Sequence, residues 1–177
     1  MKIRILTAAL LGTLLVAGAS QAQQAAAPAP SPLDAVPDKM PFSEPYGPPI
    51  ALEHAKHLIA AVQAEAKKRG WAMNIAVVDS GGNLVAFERM DGAQLASISI
   101  SEHKARTALM YRRPTKAFED GIQKGGFNYL MTLDGVIASR GGIPLIQGGK
   151  IIGAIGCSGG TGSQDATVCQ VGADMVK

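Results

Sequence analysis

His103 is the one histidine of this sequence set among largely apolar helical neighbours. At 3.6 residues per turn, Ala96, Ile100, His103, Thr107 and Met110 share one stripe, and Lys104, Arg106, Arg112 and Arg113 lie close by in sequence. An imidazole on an apolar surface, ringed by cations, has the parts to hold a flat, hydrophobic, dianionic ligand. The ring nitrogen would take iron, Ile100, Thr107 and Met110 would line the ring, and Arg106 or Arg112 would pair with an acid group. The same residues also suit a packed subunit contact with solvated cations. His54 and His57 fall beside charged positions and read as surface histidines.

A second chemical stretch runs from Ile151 to Asp165. A β-branched run enters the small-residue loop Ser158-Gly159-Gly160-Thr161-Gly162, and a helix-compatible run follows. Ser163 or Asp165 can cap that helix, and an N-terminus of this kind suits a carboxylate or phosphate. A plain strand-to-helix connection would look the same. The phosphate-loop Lys is missing and the dinucleotide-fingerprint spacing is wrong, which disfavours nucleotides. Ser158 lacks a G-x-S-x-G elbow, and neither H-E-x-x-H nor C-x-x-C spacing occurs, so hydrolytic and metal-dependent catalysis find little support. Turn and cap roles account for Asp79 and Asp165. The chain therefore reads as a binding protein more than as an enzyme. Cys157 would end the strand and Cys169 would lie in the helix; they can bridge if the geometry permits, or pack as two small hydrophobes.

These residues need a scaffold, and its periodicities are legible. Ala51 to Arg69 places Leu52, Ala55, Leu58, Ile59, Val62 and Ala66 on one helical stripe, with Gly70 as the stop. Met73 to Asp79 and Leu84 to Arg89 flank Ser80-Gly81-Gly82-Asn83, a hairpin pattern, and the first strand is apolar on both faces. Ile143 to Ile146 and Ile151 to Cys157 form a second hairpin around Gln147-Gly148-Gly149-Lys150. Helices are expected over Leu95 to Tyr111 and from Pro114 to about Lys124, with Pro in the first turn of the latter. In the former, Leu95, Ile98, Glu102, Ala105 and Leu109 are the expected sheet-facing stripe. Leu130 to Ala138 reads as either a further strand or a turn at Asp134-Gly135. The sum is an antiparallel sheet covered by helices on both faces.

At the N-terminus, Lys2 and Arg4 precede an apolar run from Ile5 to Ala17 and the small-x-small site Ser20-Gln21-Ala22, the pattern of a secretory signal peptide over residues 1–22. The run is too short for a spanning helix and no lipid-bearing Cys follows it, so a periplasmic or secreted protein without a membrane anchor is expected. Cleavage would leave 15 basic residues against 14 acidic ones, which removes the main support for nucleic-acid binding. Residues 23–49 hold eight of the ten prolines and read as a linker or arm. Its aromatics Phe42 and Tyr46 can dock on the domain or on a neighbouring subunit. One domain then occupies residues 50–177.

Within it, Ala76-Val77-Val78-Asp79-Ser80-Gly81-Gly82-Asn83-Leu84-Val85-Ala86, Glu88-Arg89-Met90-Asp91-Gly92-Ala93, His103-Lys104-Ala105-Arg106-Thr107-Ala108, Gly142-Ile143-Pro144 and the blocks Gly153 to Gly156 and Gly159 to Gly162 resemble the GlcG/HbpS-like heme-binding family. The resemblance implies an α/β (α+β) domain with an antiparallel sheet of about five strands between helices in a profilin-like arrangement. It also implies a homo-oligomer, often an octamer. Heme as cofactor, redox sensing with a partner sensor kinase, and corrinoid- or hydroxy-acid-related small-molecule functions are all implied for members. It transfers no catalytic residue, and His103 as axial ligand rests on the helix geometry.

Overall fold

The computed structural model describes residues 35–176; the signal-peptide expectation and the first part of the Pro/Ala-rich segment lie outside them. Helix α1 spans Leu52–Arg69 and stops at Gly70, whose φ of 70° places it in the left-handed region that ends helices. Ala55, Leu58, Ile59, Val62 and Ala66 are buried as the periodicity requires, whereas Leu52 in the first turn is exposed. Strands β1 (Asn74–Asp79) and β2 (Leu84–Arg89) form the first hairpin, and β3 (Gly142–Gln147) and β4 (Lys150–Ser158) the second. The hairpins join through β1 and β4 into one antiparallel sheet of order β2-β1-β4-β3. Helices α2 (Ala96–Met110), α3 (Lys116–Gln123) and α4 (Gly162–Ala173) complete the described elements.

The sheet has four strands among the described residues, not five. Where Leu130 to Ala138 left a strand open, a short 3₁₀ turn spans Asn128–Thr132 and irregular chain follows it. Pro114 stands outside α3, whose N-cap is Thr115. On one sheet face, Ile75, Val77, Ile155 and Cys157 pack with the inner sides of α1 and α4. On the other, Val78, Ile151 and Ala154 meet Ala105, Ala108 and Leu109 of α2.

The inner face of α2 departs from the expected stripe. Leu95 is 71% exposed, and the buried positions are Ser97, Ser101, Lys104, Ala105, Thr107, Ala108 and Leu109. The reason is proximity. A Cβ on Gly156 would lie 2.1 Å from the Ser101 carbonyl oxygen, and one on Gly142 would lie 2.2 Å from the Lys104 carbonyl oxygen. Helix and sheet backbones approach so closely that only small residues fit between them, and a stripe of serines and alanines carries little hydrophobic signal.

Candidate functional site

The solvent side of α2 carries His103. The imidazole is exposed and makes no hydrogen bond among the described residues; Ile100 one turn before it is half-buried, and Met110 two turns after it is 56% exposed. Arg106, one turn on, makes an ion pair of 3.3 Å with Glu102, and its Nε donates to the Gly82 carbonyl at 3.4 Å. His103, Ile100, Arg106 and Met110 thus share an outward face, as the helical periodicity requires. His54 and His57 lie on α1, half-buried and exposed respectively.

Thr107 does not share that surface. It is fully buried: its hydroxyl donates to the Gly135 carbonyl at 2.7 Å and accepts from the Ile137 amide at 3.1 Å, which ties the irregular chain after the 3₁₀ turn to α2. Arg112 is committed elsewhere too. Its guanidinium donates to the Glu44 carbonyl at 3.5 Å and sits 6.0 Å from the Tyr46 ring centre, while Arg113 lies 3.8 Å from that of Phe42. The arm's aromatics therefore dock on their own domain, and the Tyr46 hydroxyl donates to the Leu109 and Met110 carbonyls at the end of α2.

Lys104, grouped by sequence with the cations around His103, points the other way. It is 1% exposed, and its Nζ donates to Asp165 Oδ2 at 2.7 Å and to the Cys157 carbonyl at 3.2 Å. Asp165 Oδ1 accepts from the amides of Gly159 and Gly160, both at 3.0 Å. One buried carboxylate thus ties the glycine loop to a lysine on α2 across the end of β4. Lys104 was missed as a structural residue because a charge on a helix reads as solvent-facing, and its partner lies 61 residues away.

The glycine loop satisfies its own donors. Besides the two amides held by Asp165, the Thr161 amide donates to Gln164 Oε1 at 2.8 Å, and the Thr161 hydroxyl accepts from the Gln164 amide at 3.3 Å. This is a capping box with Thr161 as N-cap; Ser163 and Asp165, the expected caps, take other roles. The Ser158 hydroxyl is buried and donates to Ser97 at 2.9 Å, and Gly162 opens α4 against the Arg140 side chain. A ligand carboxylate at the Gly159 and Gly160 amides would have to displace Asp165. Beside the loop lies a shallow cleft of about 290 Å³ lined by Trp71, Met73, Gln94, Gly159, Gly160 and Gln164.

Cys157 and Cys169 are free thiols buried on the α1/α4 side of the sheet. Burial, and after it the neighbouring Cys169 side chain, pushes the Cys157 thiol well above its ordinary value. Among the described residues no group of three or more His, Cys, Asp or Glu could hold a metal ion, and no helix is long and apolar enough to cross a membrane.

Residues 50–174 match the family described as haem degrading protein HbpS-like. Protein GlcG of Escherichia coli strain K12 is 42% identical over 109 residues, which cover 62% of this chain and 81% of GlcG. Two solved structures share the fold. HbpS superposes with a TM-score of 0.69 at 27% identity, covering 78% of this chain and 98% of that one. A PduOC:heme complex gives a TM-score of 0.67 at 26% identity, with 73% and 96% covered.

Proposed function

Because this chain belongs to the HbpS-like family, we propose that it binds heme on the outward face of α2 with His103 as the iron ligand. The observation that carries the reading is the unengaged, exposed imidazole of His103 between Ile100 and Met110. A neutral imidazole nitrogen free of competing hydrogen bonds is the donor that ferric or ferrous heme takes axially. Ile100 and Met110 offer apolar contact to the ring, and Met adapts its shape to a flat surface. Arg106 is the cation placed for a propionate. Its present pair with Glu102 is partly solvated, and such a pair is worth about 1 kcal/mol or less, so a heme carboxylate can take its place. Thr107 supports this face from behind by holding residues 135–137 against α2.

The likeness to a PduOC:heme complex and to HbpS supports the ligand class. Assembly into a homo-oligomer, export, and redox sensing through a partner kinase extend the same reading. Leu95 and Met110, exposed on α2, give a subunit contact apolar surface to bury.

Hemin titration of residues 23–177, followed by Soret absorbance, tests the proposal. A saturable shift at one heme per subunit is expected, lost in His103→Ala and retained in His54→Ala and His57→Ala. A shift of equal size in wild type and His103→Ala would overturn it.

A further inference from the structure

We infer that Cys157 and Cys169 form a redox couple, closing by thiol–disulfide exchange into a bridge that staples the C-terminal helix to the central strand β4. Three observations carry this. The two side chains are neighbours where α4 packs on β4, in one buried cluster. Both thiols are fully buried in the same hydrophobic cluster, shut off from solvent and larger reagents. The residues between them are the strand-to-helix connection itself: Ser158, the glycine loop, the capping box and Asp165. Cys157 sits in a strand paired on both sides, whereas Cys169 sits in α4, seven residues before the end of the described residues.

The chemistry balances with a disulfide as oxidant. One cysteine, deprotonated, attacks a sulfur of an oxidised dithiol or of glutathione disulfide and expels one thiolate. The second cysteine then attacks the mixed disulfide, expels the other thiolate and completes the Cys157–Cys169 bond. Two protons leave the protein, its two thiols lose two electrons, and the reagent disulfide gains them. Attack on an outside reagent needs the thiols uncovered, and peeling α4 from the sheet uncovers both. Release of α4 also opens the Asp165 contacts to Lys104, Gly159 and Gly160. Oxidation is therefore slow in the closed molecule and gated by the local opening of its last helix.

Once closed, the bridge acts where the buried ion pair acts. It holds α4 against β4, so Asp165 stays under the glycine loop even when its carboxylate is weakened, and it restricts the unfolded chain as any cross-link does. Reduced protein is then the form in which the loop can open, and oxidised protein the form in which it is fixed.

The test uses the chain from residue 23, purified reduced and equilibrated with excess glutathione disulfide, both as folded protein and during refolding from denaturant. Intact mass and alkylation after denaturation report the thiols. The expected product is a monomeric chain lighter by two hydrogens with no alkylatable thiol. It should form faster on refolding than in the folded state and melt at a higher temperature than the reduced form. Cys157→Ser and Cys169→Ser should each keep the circular-dichroism spectrum of the fold and yield only a glutathione adduct or a free thiol. Two free thiols, or two glutathione adducts, after refolding in glutathione disulfide would overturn the proposal. So would a bridge between chains, or an oxidised form that melts below the reduced one.

Discussion

Replacing Lys104 with Met removes the cation from a pair whose side chains are 1% and 3% exposed. Asp165 would keep its two backbone donors and lose its counter-charge in the interior, an arrangement that costs about 3–5 kcal/mol. Urea unfolding of Lys104→Met should show a loss of that size; a loss below about 1 kcal/mol would mean that the pair is not the tie described. His103, one residue earlier, is exposed, so His103→Ala should leave the unfolding free energy in urea within about 0.5 kcal/mol of wild type. Adjacent residues of one helix thus serve opposite ends, Lys104 the loop and His103 the surface. The sequence put the imidazole on the outward side of α2 because the 3.6-residue period sets it away from the sheet, although Thr107, assigned to the same stripe, is buried. It could not place the lysine, whose burial is decided by a carboxylate brought in from α4.

Among the elements, α2 depends on the small residues opposite it. In Gly156→Ala the new methyl would sit 2.1 Å from the Ser101 carbonyl and 2.6 Å from the Ala105 amide nitrogen, both backbone atoms that cannot rotate away. The helix would have to lift from the sheet, and a stability loss of about 2 kcal/mol or more is expected by calorimetry. Helix α3 gives a prediction in pH. Asp120 is held down to about 2 from its ordinary 3.8 by hydrogen bonds from Lys116 and Lys124, and Arg140 holds Glu119 below the usual carboxylate range. A carboxylate with a lowered folded-state pKa stabilises fully above its unfolded value and loses that contribution as pH falls through the folded one. The α3 contribution is therefore intact above about pH 4 and fades toward pH 2. In an NMR titration, Lys116→Ala should move the Asp120 midpoint upward, and an unchanged midpoint would contradict the assignment. Boundaries at this scale were legible, with three helices and four strands found within a few residues and the last helix recognised after the glycine loop without an end, because caps, breakers and periods are local signals. The inner stripe of α2 was not, since serines facing glycines leave no hydrophobic period to read.

Across the whole molecule, the arm closes the fold over the end of α2. The Pro45 carbonyl accepts from the Ile151 amide and the Gly47 amide donates to the Ile151 carbonyl, so residues 45–47 continue the sheet beside β4 beyond the end of β1. With the Tyr46 hydroxyl bonds and the arginines over Tyr46 and Phe42, a chain shortened to begin at Ile50 should lose about 2–4 kcal/mol and melt several degrees lower. An unchanged melting temperature would mean that the arm contributes nothing in solution. By itself the sequence determined the order of helices and strands, a sheet covered on both faces and the family, all of which are written in local pattern and ordered motif blocks. Tertiary structure alone decided that the glycine loop is filled by Asp165, that Lys104 is internal, that Arg112 serves the arm and that the two cysteines are neighbours. Those outcomes depend on which distant backbone comes within hydrogen-bonding reach, and distance in space is not encoded in the spacing of residues along the chain.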